Sequence, residues 1–415
     1  MNRLLNILVL VDQKYELDLW VEKGSRSLGK VLTIGRSGGD YEVDIQVGED
    51  IVSVEQSMQQ LPNGLKPDLI IATSNTLNLF NQWPTSITKI AIHEQDFSGH
   101  EDDGFKVIAK INESNTINPP YINIPPLESA NSQKVLGMLV KFAFGQIAAV
   151  DYEALKDLIP LQKVTVPTGV SFVIAVLDES PSSKFSINTL LDDLKVIEGE
   201  VICIFNDKEL GEKICKHPRI DKYAILSENI GVGRAWNVGM MMTTQETVFI
   251  LNSDLHLEAS GVDTIKKELY RRENYAIAGP CGGYNDFVNL KDLYYIDDKK
   301  HCSSTLVDQV SGFYFAIKRK VFSDYNIQFF PEYIPCYMEE WDIALQLRKY
   351  DLLSIRVPVF SYEHAWGGTI NGLEKINCLG KVYNKDTILK QNQNIFTRRW
   401  QTVFSGQNNN VFIPS

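Results

Sequence analysis

Apolar residues in this chain come in short, dense runs that end on polar or acidic residues. Over the first 165 residues, Leu4–Val11, Val31–Ile34, Val43–Val47, Leu69–Thr73, Lys89–His93 and Lys106–Ala109 read as strands. Helix-like stretches around Val52–Gln60 and Thr76–Asn81 lie between some of them. That alternation predicts a small α/β layer with a largely parallel sheet. Pro119, Pro120, Pro125 and Pro126 mark a stiff, irregular segment, and a helical pattern then runs from about Ser132 to Leu158. Pro160 and Pro167 predict a domain boundary.

The same pattern resumes beyond the boundary with stronger runs. Val170–Leu177 is nearly continuous in apolar residues and stops at Asp178 and Glu179. A helix is predicted over Ser186–Ile197, and a strand over Glu200–Phe205 ends at Asn206 and Asp207. Tyr223–Leu226 leads into a loop at Asn229, and Thr247–Leu251 ends at Asn252, Ser253 and Asp254. Between these last two, Gly231, Ala235 and Gly239 recur every four residues, which lays them along one helix face. Glycine costs a helix about 1 kcal/mol against alanine, so a bare face predicts an unusually close neighbour. Several strands ending in polar or acidic residues at one sheet edge predict a ligand site, because open α/β sheets bind ligands beyond the carboxyl ends of their strands.

Composition narrows the function classes. The 415 residues are 44% hydrophobic and 22% charged, which is ordinary for a globular chain of about two domains. The net charge of −11 and the lack of a basic stripe argue against nucleic-acid binding. Six cysteines are scattered without a close pair, which fits a reducing compartment, the cytoplasm, rather than a zinc or redox motif. Leu4–Val11 is too short to span a bilayer. Val135–Val150 is interrupted by Lys141 and Gln146 and reads as a buried or partner-facing helix. No transmembrane segment is therefore expected, which leaves room for peripheral membrane contact and for a homo-oligomer. No Gly-x-Gly-x-x-Gly follows the first strand, so no dinucleotide fingerprint is present there.

Over about residues 168–400 the ordered motifs resemble those of GT-A fold glycosyltransferases, and within them the family 2, rhamnosyltransferase-like nucleotide-sugar transferases. Asn229-x-Gly231-x-x-x-Ala235-x-Asn237-x-Gly239 matches the motif after the third strand, with Arg234 inside it. Leu251-Asn252-Ser253-Asp254 resembles the metal-binding strand end, in the variant with asparagine first. Ser311-Gly312-Phe313 resembles the acceptor-side glycine loop, and Glu339-Glu340-Trp341-Asp342 the acidic catalytic motif. His364, followed by Gly367-Gly368, resembles the closing histidine, and Asn394-x-Phe396-x-x-Arg399-Trp400 the aromatic-basic end of the domain. The first 165 residues lie outside this resemblance, and their pattern is similar to half of a GT-B enzyme.

The chain is expected to be α/β: the resemblance implies a GT-A type Rossmann-like nucleotide-sugar domain over 166–380, and the alternation of strands and helices a smaller α/β Rossmann-like domain over 1–165 before it. A C-terminal segment, 381–415, would pack on the GT-A domain. It also implies a nucleotide diphosphate-sugar donor, a UDP- or TDP-sugar, and a glycan acceptor. Mn²⁺ or Mg²⁺ would be held by Asp254 and His364. His256 joins them if the strand continues, since residues two apart share a strand face. Glu340 is the expected general base, with Glu339 and Asp342 orienting the acceptor or substituting for it. Asp178 and Asp207 are expected at the nucleobase and ribose, Asn252 at the ribose, and Arg398 or Arg399 at the diphosphate, where a guanidinium matches phosphate oxygens. Trp341 and Trp366 are expected to stack on the acceptor, although core packing suits such residues equally. Two other classes stay open: a non-catalytic nucleotide-sugar-binding or scaffold protein, motivated by Asn252, and a transferase acting on protein or modified nucleic acid.

Overall fold

The computed structural model describes residues 3–12, 25–36, 43–48, 52–62, 65–77, 80–93, 105–111, 121–124, 132–148, 150, 165–179, 184–297, 303–365, 374–405 and 411–412. The chain forms two compact units. One comprises residues 3–163 with 300–306 and 409–415; the other comprises 164–299 and 307–408 with the first two residues.

In the first unit the apolar runs become a parallel sheet. Its strands are β1 (Arg3–Val11), β2 (Gly29–Arg36), β3 (Ile45–Val47), β4 (Leu69–Thr73), β5 (Thr88–His93), β6 (Val107–Ile111) and β7 (Tyr121–Ile124). They lie in the order β3-β2-β1-β4-β5-β6-β7, with every neighbouring pair parallel. Parallel strands are covered on both faces, which is why β4 and most of β1 are apolar at consecutive positions. Helix α1 (Ser132–Ala143) buries Val135, Leu136, Leu139 and Val140 in the same core as Ile7, Val9 and Ile90. The helical pattern predicted to Leu158 stops at Ala143, and residues 151–158 lie outside the described residues. Val411–Phe412 adds to the edge of β1 near its start.

The second unit is built on β8 (Val170–Val176), α2 (Ile187–Asp193), β9 (Glu200–Phe205), α3 (Lys208–Ile214), β10 (Lys222–Ile225), α4 (Val232–Met242) and β11 (Thr247–Asn252). Then follow β12 (Leu255–Leu257), α5 (Ala259–Leu269), β13 (Tyr275–Gly279), β14 (Gly282–Asp286), β15 (Lys291–Ile296), β16 (Gln309–Val310) and β17 (Tyr314–Lys318). The chain continues through α6 (Glu339–Arg348), β18 (Leu353–Arg356), β19 (Tyr362–His364), β20 (Lys375–Cys378), β21 (Lys381–Asn384) and α7 (Lys385–Ser405). The main sheet runs β10-β9-β8-β11-β17-β13-β18. The first four strands are parallel, and β17 enters antiparallel to both β11 and β13. This is a mixed α/β fold on a Rossmann-like parallel core.

The bare helix face has its neighbour. Gly239 lies against Val173 of β8 so closely that a Cβ there would overlap the valine side chain. Gly231 does a different job. It precedes α4 with φ +88°, a left-handed conformation that favours glycine, and Pro335 comes within 3.0 Å of where a Cβ would stand.

Candidate active site

A cavity of about 550 Å³ opens at the carboxyl ends of β8 and β11, within the usual size range of small-molecule sites. Leu177 follows β8, Asn206 follows β9, and Asn252, Ser253 and Asp254 end β11; all five line it. The strand order reverses between β8 and β11, which opens a crevice at their ends.

On this side the strand does not continue past Asn252. Ser253 and Asp254 turn, and a separate strand, β12, pairs antiparallel with β19 so that Leu255 faces His364 in register. That pairing brings His364 Nε2 to 3.3 Å from Asp254 Oδ1, with both side chains only 4–6% exposed. Asn252 Nδ2 is 3.4 Å from the same imidazole nitrogen. The ring of Phe313 stacks on His364 at 4.3 Å and 8°, and Asn252 N–H donates to Phe313 O. Bonds of about 2.1 Å at a right angle would put two donor atoms about 3 Å apart, so this pair can bracket a small divalent cation. No group of three or more His, Cys, Asp or Glu side chains gathers for a metal among the described residues. Such an ion would therefore draw its remaining ligands from phosphate oxygens and water, as Mg²⁺ usually does. The residues fit a cation bound together with a diphosphate.

His256 is not part of this group. The turn at residues 253–254 breaks the two-residue alternation, and His256 Nδ1 instead contacts Asp193 Oδ2 at 2.8 Å while its ring stacks on Phe185. The expectation that it is a metal ligand is corrected accordingly.

The acidic motif opens α6. Tyr337 and Met338 both take positive φ, near +80°, immediately before it. Such conformations cost roughly 1–3 kcal/mol each. Glu339 and Glu340 form the first helical turn and both line the cavity. Glu340 is half-buried, and the Gly312 N–H donates to its carboxylate. A Cβ at residue 312 would run into that carboxylate, which explains the glycine. Burial pushes the Glu340 carboxyl above the usual range against the pull of that N–H. Glu339 is 2% exposed, and burial followed by the Glu340 charge pushes its carboxyl well above the ordinary value.

Asp342 turns the other way. It is fully buried and accepts hydrogen bonds from Tyr333 Oη (3.0 Å), Gln346 Nε2 (2.6 Å), Arg399 Nε (2.7 Å) and Trp400 Nε1 (2.7 Å). It anchors α7 to α6 and does not line the cavity, which corrects its expected catalytic role. Arg399 is committed to Asp342 and to the face of Phe330, so it is not the expected diphosphate clamp. Arg398 is likewise not among the lining residues.

The donor-side expectations divide in the same way. Asn229 lines the cavity, accepts the Gly231 N–H and donates to Asn377 O. Arg234 donates to Pro331 O, and Asn237 exchanges two hydrogen bonds with the Phe329 backbone. Together with Val232 N–H to Pro335 O, these tie α4 to the segment that delivers the acidic motif. Arg234 and Asn237 support the site without lining it. Asp207 caps α3 through Leu210 N–H and lies off the cavity, and Asp178 is not among its lining residues either. Ser311, Gly312, Phe313 and Trp341 do line it, with Trp341 also packed edge-on to Phe287 and Phe396. Trp366 lies outside the described residues.

The structure adds residues that carry no motif. Asn206, 5% exposed, lines the cavity and accepts the Ile230 N–H. Asp292 and Tyr295 reach it from β15, with Tyr295 Oη 2.6 Å from Ser311 Oγ. The described lining contains no lysine or arginine. No helix among the described residues is long and apolar enough to cross a membrane.

No protein-family model and no curated protein matches the chain. Among solved structures it is similar to a crystal structure of GalNAc-T7 with UDP, GalNAc and Mn²⁺, at 13% identity and a TM-score of 0.43. That match covers 56% of this chain and 48% of the other, so the chain spans about half the length of GalNAc-T7. It is also similar to S. aureus TarS, at 14% identity and a TM-score of 0.34, over 47% of this chain and 36% of TarS. A TarS fragment in complex with UDP-GlcNAc gives the same identity and score over 57% of its length.

Proposed function

We propose that the second unit is a glycosyltransferase. It moves a sugar from a UDP- or TDP-linked donor to a hydroxyl of an acceptor glycan, on the cytoplasmic side, by inverting displacement. One observation carries the reading: a cavity at the strand-order reversal is lined by Asp254 and His364, 3.3 Å apart, and by Glu340, whose carboxylate accepts the Gly312 N–H. A family 2-like motif order supports it.

A divalent cation, when bound, supplies the charge that stabilises a leaving diphosphate. The described lining holds no lysine or arginine, and its neutral donors include Asn206, Asn229 and Asn252. Asp254 and His364 would hold the cation. Glu340 takes the proton from the acceptor hydroxyl as its oxygen bonds to the anomeric carbon. The bond from that carbon to the diphosphate oxygen breaks at the same time, and the nucleoside diphosphate leaves with the electron pair. One displacement reverses the anomeric centre. Positioned bases of this kind contribute about 10²–10⁴-fold.

The test is release of nucleoside diphosphate from a panel of UDP- and TDP-sugars, UDP-GlcNAc and UDP-GalNAc among them, with Mn²⁺ or Mg²⁺. Release with at least one donor, and a transferred sugar of inverted configuration by NMR, is expected. No release from any donor, with nucleotide still bound, would favour a non-catalytic binding protein. Retained configuration would remove Glu340 as base.

A further inference from the structure

We infer that Glu339 is a proton-holding residue: its Oε1 carries a proton at neutral pH and donates a hydrogen bond to an oxygen of the sugar that enters the cavity. Glu340 is thereby left to act as the base. The identity of that oxygen rests on the transferase reading, whereas the proton does not.

The geometry of the carboxyl group points this way. Glu339 is 2% exposed and lines the cavity. Its carboxylate accepts backbone N–H groups from Tyr337 and from Glu339 itself, yet Oε1 has no hydrogen-bond partner. Gly233 of α4 lies beside it, where a Cβ would stand 3.6 Å from Oε1, and glycine offers no side chain to bond it. A buried, ionised oxygen with no donor is costly. A protonated oxygen in the same place becomes a donor and needs only an acceptor from a ligand.

The surrounding charges agree. Glu340 is its chain neighbour, Asp342 lies three positions on, and Tyr333, Cys336 and Tyr337 approach from the preceding segment. None of these is a cation. Arg399, which faces Tyr333, is bonded to Asp342. Two neighbouring carboxyls without a counter-ion do not both ionise readily, so one proton stays with the pair. Both carboxyls accept backbone N–H groups and Asp292 also faces Glu340, so burial decides: Glu340, the less buried of the two, takes the charge.

Difference infrared spectroscopy on the full chain tests this without substrate or metal. At pH 7 the wild type should show a protonated-carboxyl C=O band that shifts in D₂O. The band should be lost in Glu339→Gln and kept in Glu340→Gln. Labelling the wild type with ¹³C-glutamate gives a second measurement if a variant does not fold, since it moves glutamic but not aspartic acid bands. No glutamic acid band in the wild type, or a band that survives Glu339→Gln, would overturn the inference. A failed sugar-release assay beside a confirmed band would instead count against the transferase reading alone.

Discussion

The two units start from the same local design. β3-β2-β1-β4 in the first and β10-β9-β8-β11 in the second are four parallel strands in the same order, each reversing beside its first strand. What the strand ends carry is different. In the first unit, Asp12 follows β1 and pairs with Arg36 at the end of β2, at 3.5 Å. Thr73 ends β4 and is occupied by the Thr76 hydroxyl. In the second, Asn252, Ser253 and Asp254 end the fourth strand and face a cavity. An antiparallel strand, β17, then lies beside it, and the glycine loop preceding β17 reaches Glu340. Among the described strand ends, Asp12 and Thr73 of the first unit have partners within it, whereas Asn252 and Asp254 of the second line a cavity together with Glu340.

The sharpest way to break this comparison is at Glu340. Glu340→Gln keeps size and most hydrogen bonding but cannot accept a proton at neutral pH. Sugar transfer should fall about 10²–10⁴-fold with donor affinity nearly unchanged. Glu339→Gln should lose less, and near-normal turnover in Glu340→Gln would remove the base from this site.

Next in size is the contrast between Glu340 and Asp342, two positions apart on one helix. Asp342→Ala removes the carboxylate that four donors share and leaves Arg399 without its partner. Breaking such a buried pair costs about 3–5 kcal/mol. A denaturant melt should show that loss, and a stability change below about 1 kcal/mol would deny Asp342 its anchoring role.

Gly312→Ala places a methyl group against the Glu340 carboxylate and should displace it. A shift of about 1 Å at a reacting group can cost about 10²-fold, so transfer should fall by about that factor while the fold persists. The smallest effects concern pH and the first unit. Native Glu339 keeps its proton to higher pH than the unfolded chain does, because burial raises its carboxyl well above 4.5. The native state then binds more protons above that value, and stability falls as pH rises. Glu339→Gln removes this slope. Its melting temperature should gain on the wild type as pH rises above the ordinary glutamate range, at about 2–4 °C per kcal/mol for a unit of this size. Asp12→Ala, at the matching strand end of the first unit, should leave nucleotide binding unchanged.

Local pattern made the strands and their acidic ends legible, because a buried parallel strand must be apolar throughout and must stop at a polar turn. The family resemblance, not local pattern, singled out Glu340 and His364, and both line the same cavity as Asp254. Other assignments failed where a distant partner decides. Nothing near Arg399 announces Asp342, 57 positions away. His256 seemed to share a strand face with Asp254 until the turn at residues 253–254 broke the alternation. Asn206 and Asp207 are neighbours and point apart, and the sequence offered no way to prefer Asn206 over the helix-capping aspartate. Asp292 and Tyr295 sit in a hairpin without a motif, so no signal led to them.

The central claim, that Asp254 and His364 hold a cation on which a nucleotide diphosphate depends, is tested most directly by melting the full chain with UDP or TDP, with and without Mn²⁺. A ligand that binds only the folded state raises its stability, by about 2.7 kcal/mol at a hundredfold excess over Kd. The account predicts a melting-temperature rise with nucleotide and Mn²⁺ together, little with either alone, and loss of the metal-dependent part in Asp254→Asn. No rise with any nucleotide diphosphate at saturating metal, or an undiminished rise in Asp254→Asn, would contradict it.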